Sequence, residues 1–134
     1  MTTHSLFDNR VSKDLGVSIP ILQAPMGWIA RSQLASAVSR SGACGIIETS
    51  SGELDVVKEE MRIMKELGLP FGVNIAQAFV RDPSIAEFVI DQGVKFVTTS
   101  AGSPTKYTGV LKGAGLTVYH VVPTLQAALK AVEA

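Results

Sequence analysis

Five short stretches of this 134-residue chain carry side chains that could do chemistry. They are Gln23-Ala24-Pro25-Met26-Gly27-Trp28, Glu48-Thr49-Ser50-Ser51-Gly52, Gly72-Val73-Asn74-Ile75, Thr98-Thr99-Ser100-Ala101-Gly102 and His120-Val121-Val122-Pro123-Thr124. Uncharged polar groups and glycines dominate, with one acid, Glu48. Such a set suits a planar, hydrogen-bonding cofactor better than a metal ion or a highly charged substrate. Asn74 offers both a donor and an acceptor without fixing a charge. Met26 can lay a soft thioether on a ring. His120 and Ser100 are candidates for the substrate pocket, since an imidazole near a reacting ring moves protons.

Each of these residues has a plainer role to be weighed. His120 can be packed in the wall of the fold and bonded to a neighbour. Cys44 begins an apolar run and reads as a small core residue rather than a reactive thiol. Trp28 is a lid or simple packing. Glu48 is a substrate-site acid or a loop acid capping the next helix. Met61 and Met64 sit at helical spacing and read as core. Lys106 and Tyr107 fall in the first turn of a helix, with Tyr107 packing.

Several chemistries are excluded by what is missing. No GxGxxG follows a strand and no GxxxxGK[ST] loop occurs, so a dinucleotide fingerprint and a P-loop are both absent. There is no GxSxG elbow. Cysteine and histidine do not cluster at metal-ligand spacing, so no metal is expected. Glu48 has no acid partner at another strand end, against a two-carboxylate mechanism. The formal net charge is +0 with no basic run, so no nucleic acid is expected. Met1 to Asn9 lacks an apolar signal region, no run approaches the ~20 apolar residues of a membrane span, and Cys44 is the single cysteine. A cytoplasmic setting without a membrane partner is expected.

The elements that must position these residues repeat one theme. Hydrophobic residues make up 46% of the chain and charged residues 18%, an interior-rich balance that fits strands covered on both faces. Strands are expected at Ile19–Met26, Cys44–Thr49, Phe71–Ile75, Lys95–Ser100 and Thr117–Val122, about one βα unit apart. The runs between them read as helices. Leu54, Val57, Met61, Met64 and Leu67 form one apolar stripe, with Lys58, Glu59, Arg62, Lys65 and Glu66 opposite. Asp82-Pro83 and Ser103-Pro104 read as N-cap and first-turn proline, and Thr124 as the cap of the last helix. Gly42, Gly68, Gly93 and Gly115 stand where a left-handed residue ends a helix. The last helix is expected over Leu125 to Ala134. Five parallel units are compatible with a doubly wound sheet or with part of a barrel.

The motifs resemble one family. Ile19-Pro20-Ile21-Leu22-Gln23-Ala24-Pro25-Met26-Gly27 resembles the opening strand of the nitronate monooxygenases (2-nitropropane dioxygenases) and of the related flavin-dependent enoyl-acyl-carrier-protein reductases. Pro70-Phe71-Gly72-Val73-Asn74, Val97-Thr98-Thr99-Ser100-Ala101-Gly102-Ser103-Pro104 and Val118-Tyr119-His120-Val121-Val122-Pro123 resemble later family segments, in order and at matching spacing over essentially the whole chain. The resemblance implies an α/β (β/α)8 TIM barrel, of which residues 1–134 supply about the first five βα units as the N-terminal part of a single FMN-binding domain. It implies FMN at the C-terminal mouth, held by Gln23, Ala24, Pro25, Met26 and Asn74, with the Pro25-Met26-Gly27 peptide groups facing the uracil-like edge of the ring.

The family's catalytic histidine follows the sixth strand, which the resemblance places beyond Ala134. Its main phosphate loops follow the seventh and eighth strands. No catalytic residue is therefore assigned between Met1 and Ala134. Some members carry a lysine where Val121 stands, and its absence points toward the branch shared with the enoyl reductases. The implied activity is oxidation of alkyl nitronates with O2 to a carbonyl compound and nitrite. The alternatives are flavin-dependent enoyl-ACP reduction, or a fragment without activity of its own. The expected partners are a small-molecule substrate and a second copy in a homodimer.

Overall fold

A computed structural model describes residues 7–51 and 53–134. Gly52 and the first six residues of the Met1–Asn9 segment lie outside the described residues. Four strands, β1 (Gly45–Glu48), β2 (Phe71–Ala76), β3 (Phe96–Ser100) and β4 (Thr117–His120), form one sheet in the order β1-β2-β3-β4. All three pairings are parallel. Helices α2 (Ser32–Arg40), α3 (Leu54–Glu66), α4 (Ile85–Asp91), α5 (Thr108–Gly113) and α6 (Leu125–Val132) alternate with the strands, and a short α1 (Arg10–Leu15) precedes them. A doubly wound sheet reverses its strand order at a switch point. Among the described strands no reversal occurs.

The first expected strand is reduced to a single parallel bridge between Leu22 and Cys44. Cys44 N–H donates to the Ile21 carbonyl at 2.9 Å and Gln23 N–H to the Cys44 carbonyl at 3.0 Å. Pairing stops there because Pro25, the next residue that would donate, has no N–H. The Gln23 carboxamide takes over, donating to the Ile46 carbonyl at 3.1 Å.

Helix ends also differ from expectation. Asp82 turns its carboxylate onto the N–H and hydroxyl of Ser84, making a separate turn, and α4 begins at Ile85. Ser103 likewise takes the Thr105 N–H, so α5 begins at Thr108 with Tyr107 at its N-cap. Helix α6 stops at Val132 with Glu133 as its C-cap, so Ala134 lies outside it, half-buried. Helix α1 has no counterpart in the sequence reading. It is closed by a capping box between Asn9 and Ser12 and ends at Gly16 in the left-handed region. Thr124 caps α6 through the Ala127 N–H at 3.2 Å, and Gly42, Gly68, Gly93 and Gly115 all have positive φ, as expected.

Alternation along the strands builds two cores. Ile47, Val73, Ile75 and Val97 face outward and pack with Val57, Met61 and Met64 of α3, with Val89, and with Tyr107 and Leu111. Cys44, Ile46 and Phe96 face inward and pack with Leu15 of α1, Leu22 and Tyr119. The Phe96 and Tyr119 rings meet edge to face at 5.0 Å, and the Tyr119 hydroxyl donates to Asp14 at 3.0 Å. Helix α1 therefore closes the inner face at the N-terminal end of the strands, leaving the C-terminal end for other uses. Gly72 makes this packing possible, since a Cβ there would lie 2.3 Å from Cδ1 of Phe96.

Candidate functional site

At the C-terminal ends of the strands the inner face turns polar. Register places Glu48 beside Asn74 and Asn74 beside Thr98. All three are buried. The Asn74 carboxamide nitrogen donates to the Thr98 hydroxyl at 2.9 Å, the Thr98 carbonyl at 3.3 Å and the Ser100 hydroxyl at 3.3 Å. Its oxygen has no partner among the described residues. Three bonds on one side of the carboxamide fix which way its acceptor faces.

The turn after the Leu22 bridge lies against this row. Ala24, Pro25, Met26, Gly27 and Trp28 are all exposed. The Met26 carbonyl accepts from Ile29 at 3.1 Å and Ala30 at 2.8 Å, which closes the turn. Among the described residues, the N–H groups of Met26 and Gly27 and the carbonyl of Pro25 have no hydrogen-bond partner. Gln23 is buried, and its side-chain oxygen is an acceptor without a partner. A buried acceptor left unpaired is costly.

Glu48 is 1% exposed. Its carboxylate accepts from the N–H and hydroxyl of Ser50, both at 2.8 Å, from Ser51 N–H at 3.0 Å, from the Ser51 hydroxyl and from Trp28 N–H at 3.3 Å. Arg31 completes the set, with Nη2 3.2 Å from Oε1. Burial pushes this carboxyl up, but the hydrogen bonds from Ser51 and Ser50 outweigh it and hold Glu48 below its ordinary value. With its oxygens so occupied, Glu48 is not a proton carrier for a substrate. It does not cap α3 either, whose N-cap is Glu53. No sequence signal marked Arg31 as its partner; only the fold brings the two together.

The remaining candidates separate. Ser100 lies at the edge of the polar row through Asn74. His120 alternates with Tyr119 and lies on the helix-facing side, its Nδ1 2.7 Å from the hydroxyl of the buried Thr99. It lines a hollow with Ala128, Ala131 and Val132 of α6. The structure therefore groups Gln23–Met26, Asn74 and Ser100 at one end and face, and leaves His120 outside that group. His120 instead lies beside Thr99 and also lines the hollow between the loops after β3 and β4. Trp28 is 76% exposed with φ of 64°, its ring under the Arg31 guanidinium at 5.9 Å. Cys44 is fully buried, and burial pushes its thiol up to about 11, in line with a core role. Tyr107 is buried in the outer core.

Two hollows open at this end, of about 200 Å³ between the loops after β1 and β2 and about 280 Å³ between those after β3 and β4. Neither is lined by Gln23–Met26 or Asn74. Among the described residues no group of three or more His, Cys, Asp or Glu is placed to hold a metal, and no helix is long and apolar enough to cross a membrane.

Comparison with known proteins follows the same lines. Residues 9–88 match the family model of nitronate monooxygenase. A curated relative from Mycobacterium tuberculosis, (3aS,4S,5R,7aS)-5-hydroxy-7a-methyl-1-oxo-octahydro-1H-indene-4-carboxyl-CoA dehydrogenase, is 30% identical over 115 residues, covering 85% of this chain and 32% of that protein. A probable nitronate monooxygenase of Bacillus subtilis is 36% identical over 69 residues, 50% of this chain and 20% of the relative. Among solved structures, FabK from Thermotoga maritima superposes with a TM-score of 0.83 at 33% identity, over 92% of this chain and 40% of FabK. The chain spans about a third of the length of the first of these curated relatives.

Proposed function

Because the chain belongs to the nitronate monooxygenase family, we propose that it forms the first part of a single (β/α)8-barrel domain that binds FMN and oxidises alkyl nitronates with O2 to a carbonyl compound and nitrite. The observation that carries this reading is the presence of two features at the C-terminal end of the sheet. One is an exposed turn, Pro25-Met26-Gly27, with unspent peptide donors and an acceptor. The other is Asn74, clamped by Thr98 and Ser100 with its carboxamide oxygen unpaired. The sequential parallel order of β1 to β4 supports a barrel wall.

The residues fit a flavin. Its pyrimidine edge carries one N–H donor between carbonyl acceptors, which complements a turn that offers both kinds of group. The unpaired Gln23 oxygen asks for a donor of the same sort. In this reading Gln23, Ala24, Pro25, Met26 and Asn74 hold the ring, with Ser100 at the edge of the substrate pocket. When bound, FMN supplies the redox chemistry itself. The chain's own part is to orient the ring and, through Met26, to cover it with a polarizable side chain.

A second reading, reduction of an enoyl thioester with a nicotinamide donor, is favoured by the superposition on FabK and by Val121. The two separate in assay: nitronate-dependent oxygen uptake against NAD(P)H-dependent enoyl reduction by the intact protein. A third reading, a fragment without activity of its own, predicts neither. The flavin claim is tested first. The intact protein should purify yellow, and Asn74→Ala should weaken FMN binding about tenfold, the effect of losing one well-placed hydrogen bond. A colourless protein that takes up no FMN, or an Asn74→Ala variant with unaltered affinity, would overturn the proposal.

A further inference from the structure

We propose that Glu48 is a positioning residue for the cofactor turn: together with Ser51 it pins the Trp28 N–H and so sets the peptide groups of residues 25–27. This rests on the flavin reading above. Trp28 has φ of 64°, a left-handed backbone that a side-chain-bearing residue adopts only when its surroundings impose it. What imposes it is visible. The Trp28 N–H is shared between Ser51 Oγ at 2.9 Å and Glu48 Oε1 at 3.3 Å. From the other end of the same turn Arg31 reaches Glu48 Oε1 at 3.2 Å and Ser51 Oγ at 3.1 Å. The Glu48 N–H donates to the Ala30 carbonyl at 3.0 Å. The turn is fastened at Trp28, Ala30 and Arg31, the residues that follow Met26 and Gly27, to Glu48 and Ser51.

The same loop is also tied to Asn74. Thr49, next to Glu48, donates its hydroxyl to the Asn74 carbonyl at 2.9 Å. Both halves of the proposed flavin site are therefore referenced to the segment 48–51. An ion pair this buried, with Arg31 at 14% and Glu48 at 2% side-chain exposure, is a weak way to gain stability compared with an apolar pair of the same size. It is a strong way to fix one geometry, because each lone pair has an assigned donor. Arg31 is the charged group facing Glu48, and no second acid among the described residues competes for it.

The test compares Glu48→Gln and Ser51→Ala with Val57→Ala, a fully buried outer-core position away from the turn, in the intact protein. FMN affinity is read by flavin fluorescence and the visible spectrum, well below each variant's melting temperature. Glu48→Gln should raise the FMN Kd about tenfold or more and shift the flavin spectrum, because a hydrogen-bonded charge is replaced by a carboxamide whose N–H groups face other donors. Ser51→Ala should give a smaller rise and carries the test if Glu48→Gln does not fold. Val57→Ala should lower the melting temperature and leave the Kd within about twofold of wild type. Wild-type Kd and spectrum in both Ser51→Ala and any folded Glu48→Gln would overturn the inference while leaving the flavin reading intact. So would an equal loss of FMN affinity in Val57→Ala. A wild-type protein that binds no FMN removes both.

Discussion

Replacing Gly72 with alanine should be among the most damaging single-methyl additions in this fold. The added Cβ would stand 2.3 Å from Cδ1 of Phe96, 2.9 Å from Cδ1 of Ile46 and 3.0 Å from the Phe96 carbonyl. Ile46 could turn its end away, but Phe96 is 3% exposed and its ring is wedged by Tyr119 at 5.0 Å and 90°. The ring cannot swing, so the strands must part. Overpacking of this kind costs up to about 3 kcal/mol. Removing a glycine from the unfolded chain returns up to about 1 kcal/mol. The net loss is about 2 kcal/mol, roughly a 30-fold change in the folding constant. Urea unfolding of the intact protein would read it as a lower midpoint at unchanged slope. The diagnostic is the companion Phe96→Leu: in the double variant the two costs should fall short of their sum by about 1 kcal/mol or more, since the smaller side chain vacates the space. Stability of Gly72→Ala within about 0.5 kcal/mol of wild type, or strict additivity with Phe96→Leu, would refute the packing argument.

Three further outcomes are expected. Glu48 is held below its ordinary value near 4.5, so its contribution is complete above that pH and is lost as acid titrates the folded carboxyl. The stability difference between wild type and Glu48→Gln should stay level from pH 7 to about 4.5 and shrink only below it; a decline that begins above pH 5 would contradict this. Cys44, fully buried with its thiol near 11, should resist alkylation by iodoacetamide in the native protein and react on unfolding; rapid native labelling at pH 8 would count against a core role. Trp28→Gly should be more stable than Trp28→Ala by about 0.5–1 kcal/mol, because both remove an indole that is 76% exposed but only glycine relieves the left-handed backbone. Equal unfolding midpoints would place the strain elsewhere.

What could be read from the residues follows from which signals are local. The alternation of apolar runs and amphipathic stripes reports on contacts each segment makes with one layer, so the four paired strands and α3 were legible. Gly42, Gly68, Gly93 and Gly115 were legible for a similar reason, since a helix stop is a property of a few consecutive residues. The first strand failed because its length depends on a neighbour: Pro25 withholds a donor that only matters once Cys44 and Ile46 lie alongside. The starts of α4 and α5 shifted because Asp82 and Ser103 spent their oxygens on a preceding turn. Asn74 was singled out from its place at a strand end, and the structure puts it there, buried beside Glu48 and Thr98. The Glu48–Arg31 contact was not, since it joins residues 17 positions apart and no periodicity links them. His120 was placed at the right end but on the other side, a matter of one residue in the alternation with Tyr119.

That alternation also divides labour along each strand. Ile46 and Glu48, Gly72 and Asn74, Phe96 and Thr98 are same-face neighbours, two positions and about 6.6 Å apart. The lower member of each pair packs the wall, and the upper members form the buried polar row at the C-terminal ends of the strands. A saturation scan of this segment should thus show two horizontal bands: one in which substitutions act through lost apolar packing, and one just above it in which they also alter binding, with Glu48 affecting both binding and abundance. Ligand preference in such an architecture is free to drift by changes in the upper band, one rung away from residues whose replacement destabilises the fold.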